Sequence, residues 1–333
     1  MQFETITRES LERIKPLWLE LHAHHQLVAP ELGLYVDDAK SWKHRRPLYV
    51  EAIAHGGSVF VASKAGVDFG YGAWRPARMP WPALVAAKAR LAEIYSLSVR
   101  PQYRGRGIGR ALVDHMDAAI EAAGFADRMV GVVPLNVASI AYYRRLGFTP
   151  TWLILTRFNR DSRAAAASRD VAVERVLTDE VDALRPLVVG MHHHHLAVAA
   201  GLAPYVSDEQ SWTIFSRIMR ASCVDGLLLR AGPADRPRAM VCADILNNRL
   251  EFADTWETAG EIAEIEIVAV APDARGEGLG RALMHAIDER LLERGIRDVI
   301  LGAVAANTRA IAFYERLGFQ PTWLQMSKFS KDG

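Results

Sequence analysis

Short apolar runs alternate along the chain with longer stretches in which apolar residues recur every three or four positions, the signatures of strand and amphipathic helix. Phe3 to Ile6 and Val171 to Val176 read as short first strands. Each is followed by a helical pattern (Leu11 to Leu27; Val181 to Val198) and then by a second one at about Asp38 to Ala54 and Ser207 to Ala221. Strands are expected at Val59 to Ser63, around Phe69 to Trp74 and at Leu91 to Val99, with counterparts at Leu227 to Arg230, Ala239 to Leu246 and Ile262 to Val270. A glycine-rich turn then opens helices at Gly107 to Ala123 and Gly278 to Arg294. A strand (Met129 to Val133; Val299 to Ala303), a helix (Asn136 to Leu146; Asn307 to Leu317) and a last strand after a Gly-Phe pair close each half. The order β-α-α-β-β-β-α-β-α-β predicts a mixed α/β fold with a parallel step only in its later part.

The recurrence is a true repeat. Arg104 to Leu112 and Arg275 to Leu283 share seven of nine residues at an offset of 171, and Asn136 to Trp152 and Asn307 to Trp323 share eleven of seventeen. Nearer the start of each half the offset is 170, where Tyr35, Ser41 and Trp42 match Tyr205, Ser211 and Trp212. A period this long is a duplicated domain, since solenoid units are 20 to 45 residues. The expected organisation is a first domain over residues 1–158, a polar, alanine-rich linker over 159–170, and a second domain over 171–333.

Composition narrows the function classes. The 333 residues are 50% hydrophobic and 24% charged, an ordinary globular balance. With 40 basic against 39 acidic side chains, the chain lacks the broad positive field of a protein that lives on nucleic acid or an anionic membrane. Neither partner is expected. Cys223 and Cys242 are too few for a disulfide framework and fit a reducing compartment, so the expected location is cytoplasmic.

Two constellations carry candidate chemistry. In the first, Val99 is followed by RPQYRGRGIGR, a glycine-rich turn between a strand and a helix. Glycine there removes side chains that would screen backbone N–H groups, and the helix N-terminus adds partial positive charge, so a diphosphate is the natural ligand. The dinucleotide fingerprint needs its glycines early in a βαβ unit, and the Walker pattern needs Gly-Lys-Ser/Thr; neither is present. In the second, NVASIAYYRRLGF from Asn136 recurs as NTRAIAFYERLGF from Asn307. The asparagine sits at a helix start, where it caps the helix or holds a ligand amide. The tyrosine phenol is protonated at neutral pH, so it is either an acid or an aromatic core residue.

Together these motifs resemble the GNAT superfamily of acyl-CoA-dependent N-acetyltransferases, strongly over Leu97 to Trp152 and Val268 to Trp323. The resemblance implies two tandem GNAT-like domains, each a mixed, mostly antiparallel sheet splayed between its fourth and fifth strands and flanked by helices. It implies acetyl-CoA as cofactor, bound at Leu97, Val99, Arg104, Gly105, Arg106, Gly107, Ile108, Gly109, Arg110 and Asn136. The second set is Val268, Val270, Arg275, Gly276, Glu277, Gly278, Leu279, Gly280, Arg281 and Asn307. Tyr143 and Tyr314 match the acid that protonates the departing thiolate. The expected reaction is acetyl transfer to a primary amine of a small molecule or peptide; an acyl-CoA-binding sensor or scaffold is the alternative. A monomer with pseudo-dimeric halves or a homodimer would suit the duplication.

An alkylammonium must lose a proton before it can attack a thioester. Glu93 and Glu264 occupy matching positions in the strand before the turn and are candidate bases, with Glu266 additional in the second half. His25 and His195 lie on the apolar helix face, and either line the acceptor pocket or hydrogen bond within the core. With Tyr35, Trp42, Tyr205 and Trp212 they suggest an aromatic-walled acceptor site. No HExxH motif accompanies the histidines, so no metal site is expected. The first turn carries Arg100, Arg104, Arg106 and Arg110 unopposed, whereas Asp273 and Glu277 offset Arg275 and Arg281 in the second. Stronger cofactor attraction is therefore expected in the first.

Overall fold

The computed structural model describes residues 1–32, 35–77, 90–158, 171–200, 205–246, 255–257 and 260–330. The linker expected at 159–170 lies outside them. The strands are β1 (Gln2–Thr5), β2 (Ser58–Lys64), β3 (Val67–Ala77), β4 (Leu91–Val99), β5 (Asp127–Val132) and β6 (Thr149–Arg157) in the first half. The second half supplies β7 (Val173–Arg175), β8 (Leu228–Ala231), β9 (Ala239–Leu246), β10 (Ile262–Val270), β11 (Asp298–Val304) and β12 (Gln320–Lys328). The helices are α1 (Lys15–Val28), α2 (Asp38–Ala54), α3 (Ile108–Ala122) and α4 (Val137–Arg145), then α5 (Arg185–Val198), α6 (Asp208–Val224), α7 (Leu279–Glu293) and α8 (Thr308–Glu315). No helix among the described residues is long and apolar enough to cross a membrane.

The helical patterns starting at Leu11 and Val181 each break into a 3₁₀ turn, Leu11–Ile14 or Thr178–Leu184, and then an α-helix. Pro16 and Pro186 sit in the first α-turn, where a missing N–H costs nothing.

Among the described residues the twelve strands form one sheet in the order β1-β2-β3-β4-β5-β12-β6-β11-β10-β9-β8-β7. The order is nearly palindromic, as duplication requires, but its centre is crossed. β12 pairs antiparallel with β5 of the first half, and β6 pairs antiparallel with β11 of the second. The two exchanged strands also pair with each other. Each half therefore completes its sheet with the other half's last strand.

The seam is held by side chains as well as backbone. Thr151 donates to the Gln325 carbonyl at 3.1 Å and Thr322 to the Ile154 carbonyl at 3.2 Å. Arg157, at the end of β6, pairs with Asp288 on α7 at 2.6 Å; Asp288 is buried and the Arg157 side chain nearly so. One apolar cluster runs through the seam, joining Ile94, Met116 and Leu155 to Ile265, Leu283 and Leu324.

Within each half the fourth and fifth strands run parallel and then part. β4 and β5 pair only from Leu91/Asp127 to Ile94/Val130, although β4 continues to Val99. β10 and β11 pair only from Ile262/Asp298 to Ile265/Leu301. Beyond those points each pair encloses a wedge with unpaired backbone on its walls, which seeks hydrogen-bond partners.

The crossed centre makes the halves one cooperative unit. Calorimetry should show a single unfolding transition with matching calorimetric and van't Hoff enthalpies; two resolved transitions would contradict the shared core. Asp288→Ala, which leaves the Arg157 guanidinium buried without its carboxylate, should cost about 3–5 kcal/mol.

Candidate active site

Each wedge opens into a cavity, about 1150 Å³ in the first half and about 750 Å³ in the second. Their floors are the glycine turns. Gly105 and Gly107 take φ of +75° and +79°, and Gly276 and Gly278 take +93° and +83°, a left-handed conformation that side chains with a Cβ resist. A Cβ on any of the four would meet nothing within 4 Å, so the turns form open cradles. Gly107 and Gly278 are the N-caps of α3 and α7, whose first-turn N–H groups have no intrahelical acceptor. Such a cradle fits a diphosphate.

Every expected cofactor residue lines its cavity except two. Arg106 instead lies over the Tyr103 ring at 5.6 Å, and Glu277 pairs with Arg238 at 2.7 Å. The charge contrast between the turns also shrinks. Arg110 pairs with Asp114 at 2.7 Å and Arg100 lies 3.6 Å from Glu20, while Arg238 offsets Glu277.

Beside each glycine turn lies α4 or α8, with Asn136 or Asn307 as its N-cap and Tyr143 or Tyr314 on it. The Asn136 Oδ1 accepts from the Ser139 N–H at 3.1 Å, and Asn307 accepts from Ala310 at 3.2 Å, so both cap their helices. The Asn136 amide also meets His24 Nε2 at 3.3 Å, and Asn307 bonds His194. His24 and His194 line the cavities and escaped the sequence reading. Tyr143 and Tyr314 are buried at the cavity walls, and burial pushes both phenols well above their usual range. Both stay protonated at any physiological pH.

The candidate bases differ between the halves. Glu93 lines the first cavity but accepts from Arg75 Nε at 2.6 Å. Arg75 is the cross-strand partner of Glu93, and the corresponding partner of Glu264 is Asp244. One half thus carries an ion pair at the cross-strand position where the other carries two carboxylates. The ladders slip at Tyr95 in the first half and at Glu266 in the second, so each is the extra residue of a β-bulge. Bulges re-aim side chains, and both residues line their cavities. Burial, followed by the charge of Asp244, raises the Glu266 carboxyl to about 7. Tyr95 is instead flanked by the guanidinium groups of Arg45 at 3.8 Å and Arg75 at 4.0 Å.

The acceptor residues inferred from the sequence divide. His25 and His195 line the cavities, but Tyr35, Trp42, Tyr205 and Trp212 do not. Tyr35 donates to the Ala29 carbonyl at 2.6 Å and Tyr205 to that of Ala199, each closing the loop after its helix. Trp42 is buried and donates to Glu12 at 3.3 Å, and Trp212 is buried against Val188 and Met219. The sequence pattern marks an apolar face without saying whether a cavity or a core covers it. His22 and His192, fully buried, bond the Val36 and Val206 carbonyls at 2.9 and 3.0 Å and tie the first helix of each half to the second. Among the described residues no cluster of His, Cys, Asp and Glu is arranged to hold a metal ion.

The fold and site belong to a known class. The model of the acetyltransferase (GNAT) family matches residues 21–148 and again 204–319, and the chain belongs to that family. It is an acyltransferase of the acetyltransferase type, and the family's enzymes generally use acetyl-CoA. Among curated relatives it is similar to a mycothiol acetyltransferase of Rhodococcus jostii (strain RHA1), 28% identical over 81% of this chain and 83% of that one. A mycothiol acetyltransferase of Rhodococcus opacus (strain B4) is 29% identical over 67% of this chain and 70% of its own. Among solved structures, a GCN5-related N-acetyltransferase from Sphaerobacter thermophilus shares the fold, with a TM-score of 0.59 at 17% identity, covering 98% of this chain and 95% of that one.

Burial lowers His25 to about 3 and His195 to about 4, with neighbouring histidine charges adding to the effect. Both should stay neutral from pH 5 to 8, with imidazole resonances that do not titrate in that range. A folded pKa below the unfolded value of about 6.5 contributes stability that is present above pH 6.5 and lost as pH falls towards 4 and 3. The melting temperature of the wild type should therefore fall over that window more steeply than that of the His25→Leu/His195→Leu variant; parallel curves would contradict it.

Proposed function

We propose that both cavities bind acetyl-CoA and that the second carries out carboxylate-assisted acetyl transfer to a primary amine of a small molecule. The observation that carries this reading is the placement of Glu266, on its bulge, in the same cavity as Tyr314. When bound, acetyl-CoA supplies a thioester carbonyl, and its C–S bond breaks as the amine N–C bond forms. The Glu266 carboxylate, poised near neutral pH, takes a proton from the acceptor ammonium. The Tyr314 hydroxyl gives its proton to the departing thiolate sulfur, and the second proton, which the nitrogen sheds as the amide forms, restores the phenol through solvent. Asn307 and the N–H groups of the Gly276 to Gly280 turn hold the cofactor along the wedge.

In the first cavity Tyr95 stands where Glu266 stands in the second, and Glu93 is held by Arg75. That cavity keeps the glycine cradle, Asn136 and Tyr143, so it should bind the cofactor with less help in deprotonating an amine. The relatives named as mycothiol acetyltransferases favour a small-molecule acceptor over a peptide. The second cavity's Met191, Ile214, Phe215 and Ile218 beside Glu264 and Glu266 suit an ammonium on a partly apolar body.

A base must be deprotonated to act, so kcat/KM should rise with pH through about 7 and level off above it. Glu266→Gln should remove that limb and lower turnover at pH 7 roughly 100-fold, the lower end for lost acid–base catalysis. Tyr314→Phe should lower turnover on a similar scale with little change in the KM for acetyl-CoA, and Tyr143→Phe should cost far less. A retained pH limb in Glu266→Gln, or equal losses in the two tyrosine variants, would refute the assignment. Glu266→Gln should also raise the melting temperature above pH 7. A folded carboxyl pKa above its unfolded value contributes stability that is present below about pH 4.5 and lost as pH rises through about 7.

A further inference from the structure

Each cavity has a wall that comes from the other half of the chain. Trp323, on β12 of the second half, lines the first cavity, and Trp152, on β6 of the first half, lines the second. The crossed strands bring them there. β12 lies along β5 and β6 along β11, so a side chain on either can reach the other half's wedge.

Glycine makes the reach possible. A Cβ on Gly131 would stand 1.9 Å from Trp323 Nε1, and one on Gly302 would stand 2.1 Å from Trp152 Nε1. No side chain tolerates such distances, so each indole lies directly over bare backbone of the other half's fifth strand. The same arrangement occurs twice, on residues related by the repeat. Both rings are only half-buried. Trp323 meets His25 edge-on, with centroids 6.4 Å apart and an interplanar angle of 88°. Trp152 packs with Val198, Ala199 and Tyr205, at the equivalent place beyond His195. These contacts are at the ends of α1 and α5, apart from the glycine cradles that suit the phosphates.

We propose that Trp152 and Trp323 are acceptor-side residues supplied in trans, each forming part of the wall of the other half's cavity and favouring an amine with a flat, carbon-rich face. The proposal rests on the acetyl-CoA reading above. Each active site is then composite, and residues that look like parts of one half belong functionally to the other.

The test uses the full chain labelled with 5-fluorotryptophan, the Trp152 and Trp323 resonances being assigned with Trp152→Phe and Trp323→Phe. Acetyl-CoA is titrated into variants with one cradle blocked. Gly109→Val and Gly280→Val suit this purpose, because a Cβ at either position makes only ordinary contacts of about 3.6 Å, and calorimetry of each variant counts the one site that remains. With Gly280→Val, acetyl-CoA should shift the Trp323 resonance and leave Trp152 in place; with Gly109→Val the pattern should reverse. Shifts that follow the half carrying the tryptophan would overturn the proposal, as would unmoved resonances while calorimetry registers binding.

Calorimetry without any binding would instead sink the cofactor reading, and the acceptor role with it. Placement of the rings is decided separately, since Gly131→Ala should displace the Trp323 resonance alone and Gly302→Ala that of Trp152 alone. In turnover, Trp152→Ala should raise the amine KM roughly tenfold with the acetyl-CoA KM unchanged, and Trp152→Phe should restore most of the loss. Equal rises in both KM values would reduce the indole to packing.

Discussion

The pairing of β6 with β11 and of β12 with β5 is the constraint on which the rest of the molecule depends. A last strand that stayed in its own half would complete that half's sheet, leaving the halves joined only where β6 and β12 meet. Exchanged, the two strands make one continuous sheet in which neither half has a complete edge or a complete core without the other. The buried Arg157–Asp288 pair and the threonine bonds across the seam add direction to this pairing, because each joins groups from opposite halves. The same crossing sets how the cavities are built, since strand exchange carries side chains as well as backbone.

Within that frame the parallel ladders do the positioning. Four residue pairs hold β4 to β5 and four hold β10 to β11, after which the strands diverge and leave a wedge walled by backbone. The glycine turn follows one strand and the asparagine-capped helix the other, so the two flank the open end of each wedge side by side. Duplication left the two glycine turns alike while the walls away from them diverged. Arg75, Tyr95 and Arg45 give the first cavity a cationic, aromatic lining, whereas Glu264, Glu266 and Phe215 give the second an acidic and apolar one. Burial beside a second carboxylate, Asp244, raises Glu266, whereas Glu93 sits against the guanidinium of Arg75.

Much of this was legible in the sequence. The element order, the duplication, the glycine turns and the Asn/Tyr helices all follow from periodicity and spacing, because each is a local property of the chain. The extra glutamate at position 266 was visible as a departure from the repeat, but its place on a bulge was not, since bulges depend on the neighbouring strand. Tyr35 and Trp42 illustrate the opposite failure: aromatic residues on an apolar face look the same whether they meet a cavity or a core. Strand exchange was not readable at all. Two copies of one strand sequence satisfy either partner equally well, so a repeat cannot say which copy pairs with which. The signal for the trans indoles was nonetheless present, as Trp152 and Trp323, and Gly131 and Gly302, recur at the same offset.

The central claim is that each cavity is a cofactor site assembled from both halves. A crystal structure of the full chain with coenzyme A tests it most directly. The account predicts a pyrophosphate on the amides of Gly105 to Gly109 and of Gly276 to Gly280. It also predicts a thiol end beside Tyr143 or Tyr314, with the indole of the opposite half on the acceptor side of the wedge. Coenzyme A bound elsewhere, or a sheet in which each half keeps its own last strand and its own tryptophan, would contradict it.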